Sequence, residues 1–314
     1  MYYIIYNPAS KSGKGIKIWH KVKKIFLEEK KEFRVYRTSP ERNATTIASC
    51  ILDRSTEDRI NLVVLGGDGT VHEALQAFKT EDFDRVRFHY IPTGSSNDLA
   101  RGLGLSGDLE DNVRNMLRSG CHRNVDVGII TYNKAETLGY RRRYFLVSSG
   151  LGFDASVCRE AMKSKTKDTL NKIGLGKLSY LAITLKQLYE VPNTRVTIIP
   201  ESGEEISIDK CYFVASMNGC FQGGGLKFAP DARMDDGLID ICYAGGISKL
   251  RVLFSLPSLM KGKHIGKKGI CLQRVKSARI VSQIPLDVHT DGEVKTKETD
   301  ITVRLMSGKL KMVI

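Results

Sequence analysis

The sequence predicts a two-domain chain, with a Rossmann-like α/β domain first and an all-β sandwich domain after it. Its 314 residues exceed what one hydrophobic core usually organises, so two domains are favoured. Up to about Asp126, short apolar runs alternate with segments of helical periodicity, and beyond it β-branched and alternating runs dominate. We therefore expect the α/β domain over residues 1–126 and the β-sandwich domain over residues 127–299.

The N-terminal part alternates strand patterns with helix patterns. The apolar run "YYIIY" is followed by a polar loop and the helix-like "IKIWHKVKKIFLEEK", and the same rhythm continues through "EFRVYRT", "NATTIASCIL", "NLVVL", "VHEALQAF" and "RFHYIP". Such alternation is typical of a parallel sheet covered by helices, whose ligands bind where the strands end. Each polar loop after a strand is therefore a candidate binding loop.

The C-terminal part has the pattern of an antiparallel sheet. Its strand-like segments are "TRVTIIP", "ISIDKCYFVASM", "LIDICYAG", "RVKSARIVSQ" and "ITVRLMSGKLKMVI". Two segments of helical character interrupt them, "KLSYLAITLKQLY" and "KLRVLFSLPSLM". We expect these two inserts to be helices on an otherwise all-β domain.

Composition and charge limit the classes of partner. The formal net charge of +14 favours an anionic partner, whether nucleic acid, an acidic membrane surface or a phosphorylated ligand. Seven scattered cysteines without a C-x-x-C pair indicate neither zinc nor disulfides, which fits a cytoplasmic protein. No nucleic-acid-binding module is recognisable, and no apolar stretch approaches a transmembrane length, so any membrane contact is expected to be peripheral.

The segment "VVLGGDGTVHEAL" predicts a phosphate-binding turn between a buried strand and a helix. Gly66, Gly67 and Gly69 carry no Cβ, which permits positive φ and lets a bulky anion approach the backbone amides and the helix end. A tight strand-to-helix turn that needs glycine for steric reasons alone is the alternative. A carboxylate at Asp68 would repel a phosphate unless a cation lay between them, so Asp68 predicts Mg²⁺.

Two further loops repeat this chemistry after other strands. In "IPTGSSNDLAR", Thr93, Gly94 and Ser95 offer hydroxyl and amide donors before a helix start, although Ser96 and Asp98 also suit helix capping. In "YNPASKSGKG" the candidates are Asn7, Ser10 and Gly13. Because no Gly-Lys pair there is followed by Ser or Thr, this loop is not a P-loop.

The ordered series of motifs resembles the diacylglycerol kinase catalytic fold, which sphingosine and ceramide kinases and soluble bacterial lipid kinases share. The series also includes "VDVG", "SSGLGFDA", "KFAPDARMDDGLIDI" and "DGE", so it spans the chain. G-G-D-G-T alone also occurs in NAD kinases. The resemblance implies an N-terminal nucleotide domain of the NAD-kinase and diacylglycerol-kinase type, a C-terminal sandwich, ATP and lipid meeting in a cleft, and residues 300–314 returning to the first domain.

The resemblance also implies site residues. Contacts to ATP carry over to Asn7, Ser10, Gly13, Thr38, Gly66, Gly67, Asp68, Gly69, Thr70, Glu73, Thr93, Gly94 and Ser95. An acid network that would hold Mg²⁺ through water carries over to Asp68, Asp98 and Asp126. A second, structural metal site carries over to Asp236 with the backbone carbonyls of Arg233 and Leu238, although "DDGL" is also a hairpin signal.

Glu293 in "HTDGEVK" matches the family's proposed general base, with Asp68 as its catalytic partner on the phosphate side. Phosphoryl transfer to a hydroxyl needs in-line positioning, charge neutralisation and a carboxylate to accept the proton. By composition alone, Asp291-Gly292 predicts a surface hairpin. The two interpretations differ only in whether Glu293 has a chemical role.

The resemblance implies ATP-dependent transfer of the γ-phosphate to a lipid hydroxyl, with diacylglycerol converted to phosphatidic acid. NAD kinase and a non-catalytic nucleotide sensor are the alternatives. The basic clusters "KVKK", "RRR", "KSKTK" and "KGKHIGKK" predict peripheral contact with an anionic membrane surface. We expect the two helical inserts to flank the entrance for the lipid, and a homodimer is one assembly state that the sequence leaves open.

Overall fold

The fold is that of a computed structural model in which residues 1–105, 108–120, 122–134, 141–163, 176–306 and 309–313 are described. The chain divides into two compact units. The first comprises Met1–Val127 together with Met306–Ile314, and the second comprises Gly128–Leu305. No helix of the described residues is long and apolar enough to cross a bilayer.

The first unit is an α/β domain. Its strands are β1 (Tyr2–Tyr6), β2 (Phe33–Arg37), β3 (Ile60–Gly66), β4 (Val86–Pro92), β5 (His122–Val125) and the last strand of the chain, β16 (Leu310–Val313). Its helices are α1 (Ser10–Gly13), α2 (Gly15–Glu28), α3 (Ala44–Arg54), α4 (Asp68–Leu75), α5 (Asp82–Arg85), α6 (Asp98–Gly102) and α7 (Leu109–Ser119). The predicted α/β class is confirmed.

The sheet of this unit has the order β2-β1-β3-β4-β16-β5. Strands β1 to β4 and β16 pair in parallel, whereas β5 pairs antiparallel to β16. The predicted parallel sheet is therefore confirmed, and only the edge strand β5 runs antiparallel to its neighbour, the returning strand β16. The inner strand β3 is apolar and buried from Leu62 to Leu65, as a strand covered on both faces must be.

Helix α2 shows why this sheet is covered. Trp19, Val22 and Phe26 recur at three- and four-residue spacing and are buried, and Trp19 stacks on Tyr6 with ring centroids 5.5 Å apart. They pack with Ile4 and other strand side chains into one apolar cluster. Burying a side chain of this size stabilises a fold by about 2 kcal/mol, so the apolar stripe fixes the helix to the sheet.

The second unit is built mainly of antiparallel strands. They are β6 (Gly128–Tyr132), β7 (Arg142–Phe145), β8 (Ser148–Gly152), β9 (Thr194–Pro200), β10 (Ile206–Cys211), β11 (Phe213–Met217), β12 (Ile239–Ala244), β13 (Ile270–Val275), β14 (Ser277–Thr290) and β15 (Glu293–Leu305). The helices are α8 (Phe153–Lys163), α9 (Gly176–Glu190) and α10 (Lys249–Met260). The two predicted helical inserts are confirmed as α9 and α10.

Strand β14 organises this unit by pairing in two halves. Residues up to Ser282 pair with β9, and residues from Val288 pair with β8, with an irregularity between Val281 and Leu286. A register break of this kind bends a strand and re-aims its side chains. One apolar cluster gathers residues of β6, β9, β11 and β14, and another packs helices α8, α9 and α10 against β11 and β12.

The return of the chain begins later than expected. Residues 300–305 belong to β15 and pair with β6 in the second unit, whereas the sheet of the first unit receives only Leu310–Val313. The expected returning segment of 300–314 is therefore too long at its start. The alternating residues of "ITVRL" complete a hairpin with β14, and this local pairing extends β15 to Leu305.

Candidate active site

Three loops of the first unit come together where β1, β3 and β4 end. The turn after β3 meets the turn after β4, because Thr93 N donates to Gly66 O at 2.8 Å. A Cβ at Gly94 would lie 2.6 Å from the Cα of Gly67, closer than side chains tolerate. Both positions therefore require glycine for the approach of one backbone to the other.

The glycines of the turn after β3 do not serve the φ angle that the sequence suggested. Gly67 has φ −96°, and neither Gly66 nor Gly69 has a positive φ. A Cβ at Gly66 would lie 2.5 Å from that of Thr70, whereas one at Gly69 would meet nothing within 4 Å. Close contacts therefore require glycine at positions 66 and 67, whereas Gly69 leaves open space.

Helix α4 begins within this turn. Gly67 is its N-cap and Asp68 its first residue, earlier than the apolar periodicity from Val71 indicated. The N–H groups of a first helical turn have no partner within the helix and carry partial positive charge. The loop therefore offers the anion-binding features expected from the sequence, although its glycines are required for another reason.

The predicted residues of the first loop contact the other two loops. Asn7 Nδ2 donates to Thr70 Oγ1 at 3.3 Å, and Thr93 Oγ1 donates to Ser10 Oγ at 3.0 Å within a buried contact. Gly13 ends α1 with φ +89°, a conformation that favours glycine. These contacts unite three sequence-distant motifs in one site.

Three other predicted nucleotide residues lie in different surroundings. Glu73 accepts the N–H of Ala44 at 3.1 Å through Oε2, so it caps the start of α3. Thr38 follows β2 and donates its N–H to Tyr6 O at 3.0 Å, while Ser95 is exposed. Glu73 has a structural role in this arrangement, and a nucleotide contact at Thr38 or Ser95 remains a prediction.

Asp68 holds the neighbouring loop through its carboxylate. Its Oδ2 accepts the N–H of Asp98 at 2.7 Å, and its Oδ1 accepts the Tyr90 hydroxyl at 3.3 Å. Burial raises the pKa of Tyr90, as does the nearby Asp68 charge, so this hydroxyl keeps its proton and donates. Asn97 Oδ1 accepts the N–H of Gly94 at 2.9 Å and closes the same loop.

Tyr90 and Asn97 were missed by the sequence reasoning. Tyr90 occupies an apolar strand segment, and nothing in "FHYIP" distinguishes its hydroxyl from an ordinary strand aromatic. Asn97 has φ +50°, the left-handed conformation that asparagine tolerates better than most residues. The sequence places Asn97 in the first turn of the predicted helix, whereas the structure makes it the N-cap residue before Asp98.

The other two acids of the predicted Mg²⁺ network are paired with cations. Asp98 Oδ1 lies 2.8 Å from Arg101 Nη1, and Asp126 Oδ1 lies 3.0 Å from Lys309 Nζ. Within the described residues no group of three or more His, Cys, Asp and Glu side chains is arranged to hold a metal. Carboxylate oxygens are nevertheless the donors that Mg²⁺ takes, and kinases complete its shell with phosphates and water.

The predicted second metal site lies in a turn of the second unit. Asp236 Oδ1 accepts the N–H of Leu238 at 3.0 Å, and Gly237 has φ +77°. This turn belongs to the long connection from Met217 to Ile239, so the hairpin interpretation of "DDGL" is wrong. Arg233 is exposed, and metal ligation by its carbonyl and by that of Leu238 remains a prediction.

Glu293 is the first residue of β15, directly after a tight turn. Asp291 and Gly292 have φ of +48° and +85°, and Thr290 pairs with Glu293, so the hairpin predicted from Asp-Gly is present. The Asp291 carboxylate accepts the N–H groups of three consecutive residues, Leu146, Val147 and Ser148, at 2.9–3.0 Å. Glu293 Oε2 lies 3.7 Å from Lys295 Nζ.

An apolar cavity lies within the second unit, between the helices and β11, β12 and β13. Its empty space amounts to about 710 Å³, a figure that includes space open to solvent. Its apolar lining includes Phe153, Val157, Phe213, Phe228, Leu256 and Leu259. Asp154 and Gln222 are among its polar lining residues. No sequence pattern predicted the cavity, because its walls come from six separate helices and strands.

Comparison with known proteins agrees with this geometry. Residues 1–130 match the diacylglycerol kinase catalytic domain, and residues 147–314 match the YegS C-terminal NAD kinase beta sandwich-like domain. A putative lipid kinase of Bacillus subtilis, YtlR, is 26% identical over 298 residues, covering 93% of each chain. A diacylglycerol kinase of the same organism is 25% identical over 296 residues, covering 92% of this chain and 88% of its own.

A solved structure supports the fold. The crystal structure of a putative diacylglycerol kinase from Bacillus anthracis superposes with a TM-score of 0.73 at 21% identity, covering 99% of this chain and 96% of that one. Fold and sequence matches together define the class, a two-domain kinase with an α/β domain and a β-sandwich domain. The chain belongs to the diacylglycerol kinase catalytic-domain family and carries the C-terminal domain found in YegS.

Proposed function

We propose that this protein is an ATP-dependent kinase that converts diacylglycerol to phosphatidic acid. The observation that carries the lipid part is the apolar cavity of the second unit, with Phe153, Phe213 and Leu259 in its wall. Acyl chains would be buried favourably against such walls, because each buried methylene contributes about 0.8 kcal/mol to the free energy of binding. Two relatives carry lipid kinase or diacylglycerol kinase in their names, which supports the same substrate class.

In this proposal the first unit binds ATP. The first turn of α4 and the open space at Gly69 would receive phosphate, while Ser10 and Thr93 hold the loops together. Asp68 would hold Mg²⁺, with Asp98 and Asp126 near it in the acid network, and Mg²⁺ would neutralise phosphate charge. The residues present fit this cation in donor type, since all are carboxylates.

Glu293 would act as the general base. The lipid hydroxyl oxygen forms a bond to the γ-phosphorus, and the bond from that phosphorus to the β,γ-bridging oxygen breaks. The hydroxyl proton passes to the Glu293 carboxylate, and ADP leaves with the bridging oxygen. The hairpin turn fixes the backbone of Glu293, so the base is held on a rigid element.

The alternatives make different demands on the acceptor site. NAD as acceptor would need polar groups to recognise a ribose and a diphosphate, whereas the cavity wall is mostly apolar. A nucleotide sensor would need neither the cavity nor Glu293. Both alternatives are accordingly less well supported than a lipid acceptor.

The test is transfer of labelled phosphate from ATP to diacylglycerol, ceramide, a sphingoid base, phosphatidylglycerol and NAD, with the lipids presented in mixed micelles. We expect diacylglycerol to be the preferred acceptor. Asp68→Ala and Glu293→Ala should each lower kcat by about 10²- to 10⁴-fold, whereas the neighbouring Lys295→Ala should leave it within a few-fold. Preferential labelling of NAD, or full turnover by both acid variants, would overturn the proposal.

A further inference from the structure

Helix α10 has two apolar faces, and only one of them is covered. Val252, Leu256 and Leu259 contribute to the cavity. On the other side Leu250 is 65% exposed and Phe254 is 77% exposed, four residues apart and therefore neighbours on the helix surface. Large apolar side chains exposed together usually mark a binding surface, whereas scattered ones are ordinary.

The exposed patch continues at the end of α9. Tyr189 there is 82% exposed, with Lys249 Nζ 5.3 Å from its ring centroid. We call the three residues Tyr189, Leu250 and Phe254 the apolar patch.

The segment that contains α10 carries positive charge only, whereas at the end of α9 Glu190 follows Tyr189 and lies 3.8 Å from Lys186 Nζ. From Ile241 to Leu286 the sequence contains no Asp or Glu. Six of its basic residues lie in α10 or in the loop that follows it, namely Lys249, Arg251, Lys261, Lys263, Lys267 and Lys268. Apolar side chains flanked by lysine and arginine are typical of helices that lie in the interface of an anionic bilayer. An apolar protein partner would not require this one-sided charge.

We propose that the apolar patch inserts into the surface of an anionic bilayer, with the lysines of α10 and its following loop on the headgroups. The inference rests on the proposed lipid substrate, because one helix would then contact the bilayer on one face and line the lipid cavity on the other. Of the predicted basic clusters, "KGKHIGKK" is the one that follows α10. Arg143 of "RRR" is buried. Most of "KSKTK" lies outside the described residues, so membrane contact by that cluster stays a prediction.

The test is co-sedimentation of the full chain with phosphatidylcholine vesicles, with or without about a third phosphatidylglycerol, and without diacylglycerol or nucleotide. We expect the wild type to pellet with the anionic vesicles. Leu250→Ser with Phe254→Ser should weaken binding at least tenfold, as should Lys263→Glu with Lys267→Glu and Lys268→Glu. Leu27→Ser, which removes an equally exposed leucine from α2 of the first unit, is the control and should bind like the wild type.

Two results would overturn the membrane inference. One is anionic-vesicle binding by the Leu250→Ser, Phe254→Ser variant that equals the wild type. The other is a shift of this variant from dimer to monomer in sedimentation, which would assign the patch to a second copy of the chain. Activity on a short-chain, water-soluble diacylglycerol tests the proposed function separately, because patch variants should retain it within a few-fold.

A second inference concerns the buried histidine beside the Glu293 turn. His289 on β14 is fully buried, with Nε2 3.0 Å from Asp154 Oδ2 on α8. Gln222 Nε2 donates to the same carboxylate oxygen at 3.2 Å and lies 3.3 Å from His289 Nε2. Gly150 pairs with His289 across the sheet, and a Cβ there would lie 2.5 Å from His289 Nε2. Only glycine at position 150 of β8 therefore leaves room for the contact between His289 and Asp154.

The hydrogen bonds assign the proton on the imidazole. Gly292 N–H donates to His289 Nδ1 at 3.2 Å, so Nδ1 is an acceptor without a proton. Nε2 then carries the proton and donates a hydrogen bond to the Asp154 carboxylate. A carboxylate that fixes the tautomer and orientation of a histidine is a recurrent device for holding a working group in place. Here the group held is the backbone N–H of Gly292, the residue before Glu293.

We infer that His289 is a positioning residue for Glu293, with Asp154 fixing its tautomer. The chain of contacts runs from Asp154, which lines the lipid cavity, through His289 to the backbone of Gly292. The inference rests on the proposed role of Glu293 as base. The signal in the sequence is the position of His289 within "HTDGE", shortly before the turn.

Two substitutions separate the two ring nitrogens. In His289→Asn the amide oxygen replaces Nδ1 as acceptor for Gly292 N–H, whereas in His289→Gln the amide nitrogen replaces Nε2 as donor to Asp154. We expect His289→Asn to keep kcat within about threefold and His289→Gln to lower kcat at least tenfold, with KM for lipid unchanged. The thermal stability of both variants is measured to show that each is folded.

The two variants are repeated in a Glu293→Ala background. If His289 acts through Glu293, the Asn and Gln variants should there have the same residual rate, because the group being positioned is missing. Equal losses in the native background, or a difference that persists without Glu293, would overturn the inference. Undiminished turnover by Glu293→Ala alone would instead refute the proposed role of Glu293 as general base.

Discussion

Two turns of this protein each place an aspartate next to a glycine, but the two turns need the glycine for different reasons. In the first unit Asp68 follows Gly67, and in the second Asp291 precedes Gly292. Both carboxylates accept backbone N–H groups from a neighbouring loop or strand. Gly67 has negative φ and is required by the close approach of Gly94, whereas Gly292 has φ +85° and nothing near its missing Cβ.

The comparison separates a glycine that makes space from a glycine that makes a conformation. In the first unit the space brings two loops together at the start of α4, where an anion would bind. In the second unit the conformation closes a two-residue hairpin and aims the strand that begins with Glu293. Each turn is therefore sensitive to a different kind of substitution.

The largest expected effect is at the carboxylate of the second turn. Asp291→Ala leaves the N–H groups of residues 146–148 without their acceptor, so we expect the free energy of unfolding to fall by about 3 to 5 kcal/mol. Urea denaturation measures the loss. Asp291→Asn is the control, since asparagine keeps one acceptor oxygen and tolerates the positive φ, and it should lose less than half as much.

The next prediction tests the difference between the two glycines directly. At Gly94 a Cβ meets Gly67 Cα and the side chain of Asn97, so we expect Gly94→Ala to lower the free energy of unfolding by about 1 to 3 kcal/mol and Gly94→Asn by more. At Gly292 the order should reverse, with asparagine costing less than alanine, because only the φ angle matters there. The same rank order at both sites in denaturation experiments would refute the distinction.

A smaller effect is expected at the hydroxyl that supports Asp68. Tyr90→Phe removes the donor to Asp68 and Asn97 but keeps the buried ring, so the free energy of unfolding should fall by about 1 kcal/mol. We expect kcat to drop by several-fold, because Asp68 loses one of the contacts that orient it. Tyr3→Phe removes a hydroxyl bound to Glu57, far from the loops in sequence, and should leave kcat unchanged.

The sequence located the loops better than it explained them. Glycine and hydroxyl residues after apolar strands mark the ends of β1, β3 and β4, because strand alternation and loop chemistry are local properties. The reason for Gly67 was not local, since it depends on Gly94 from the next strand. Tyr90 and His289 escaped notice for the same reason: their partners are distant in sequence, and a buried aromatic or histidine usually indicates only packing.

The cavity shows the same limit at a larger scale. Its walls combine α8, α9, α10 and several strands, and no single segment carries a pattern that predicts enclosed space. Helices α9 and α10 were predictable from their periodicity, but their arrangement over the sheet was not. The position of Glu293 at a hairpin was predictable, because Asp-Gly between strand-like runs specifies that turn.

The smallest effect on stability is expected at Gly69. Neither steric contact nor a positive φ requires glycine at this position, which leaves ligand access as the reason to be tested. Gly69 is exposed in the first turn of α4, has no positive φ, and a Cβ there meets nothing within 4 Å. Gly69→Ala should therefore raise the free energy of unfolding by up to about 1 kcal/mol, as alanine does at helical positions. If phosphate occupies this space, the same variant should raise KM for ATP by tenfold or more.

Steady-state kinetics and denaturation on one preparation measure both changes for Gly69→Ala. A more stable protein with weaker ATP binding would show that the bare backbone at this position serves the ligand and not the fold. Ser39→Ala, in the loop after β2, is a control for an exposed polar change and should alter KM for ATP by less than twofold. Unchanged KM in Gly69→Ala would show that phosphate does not occupy the space beside Gly69.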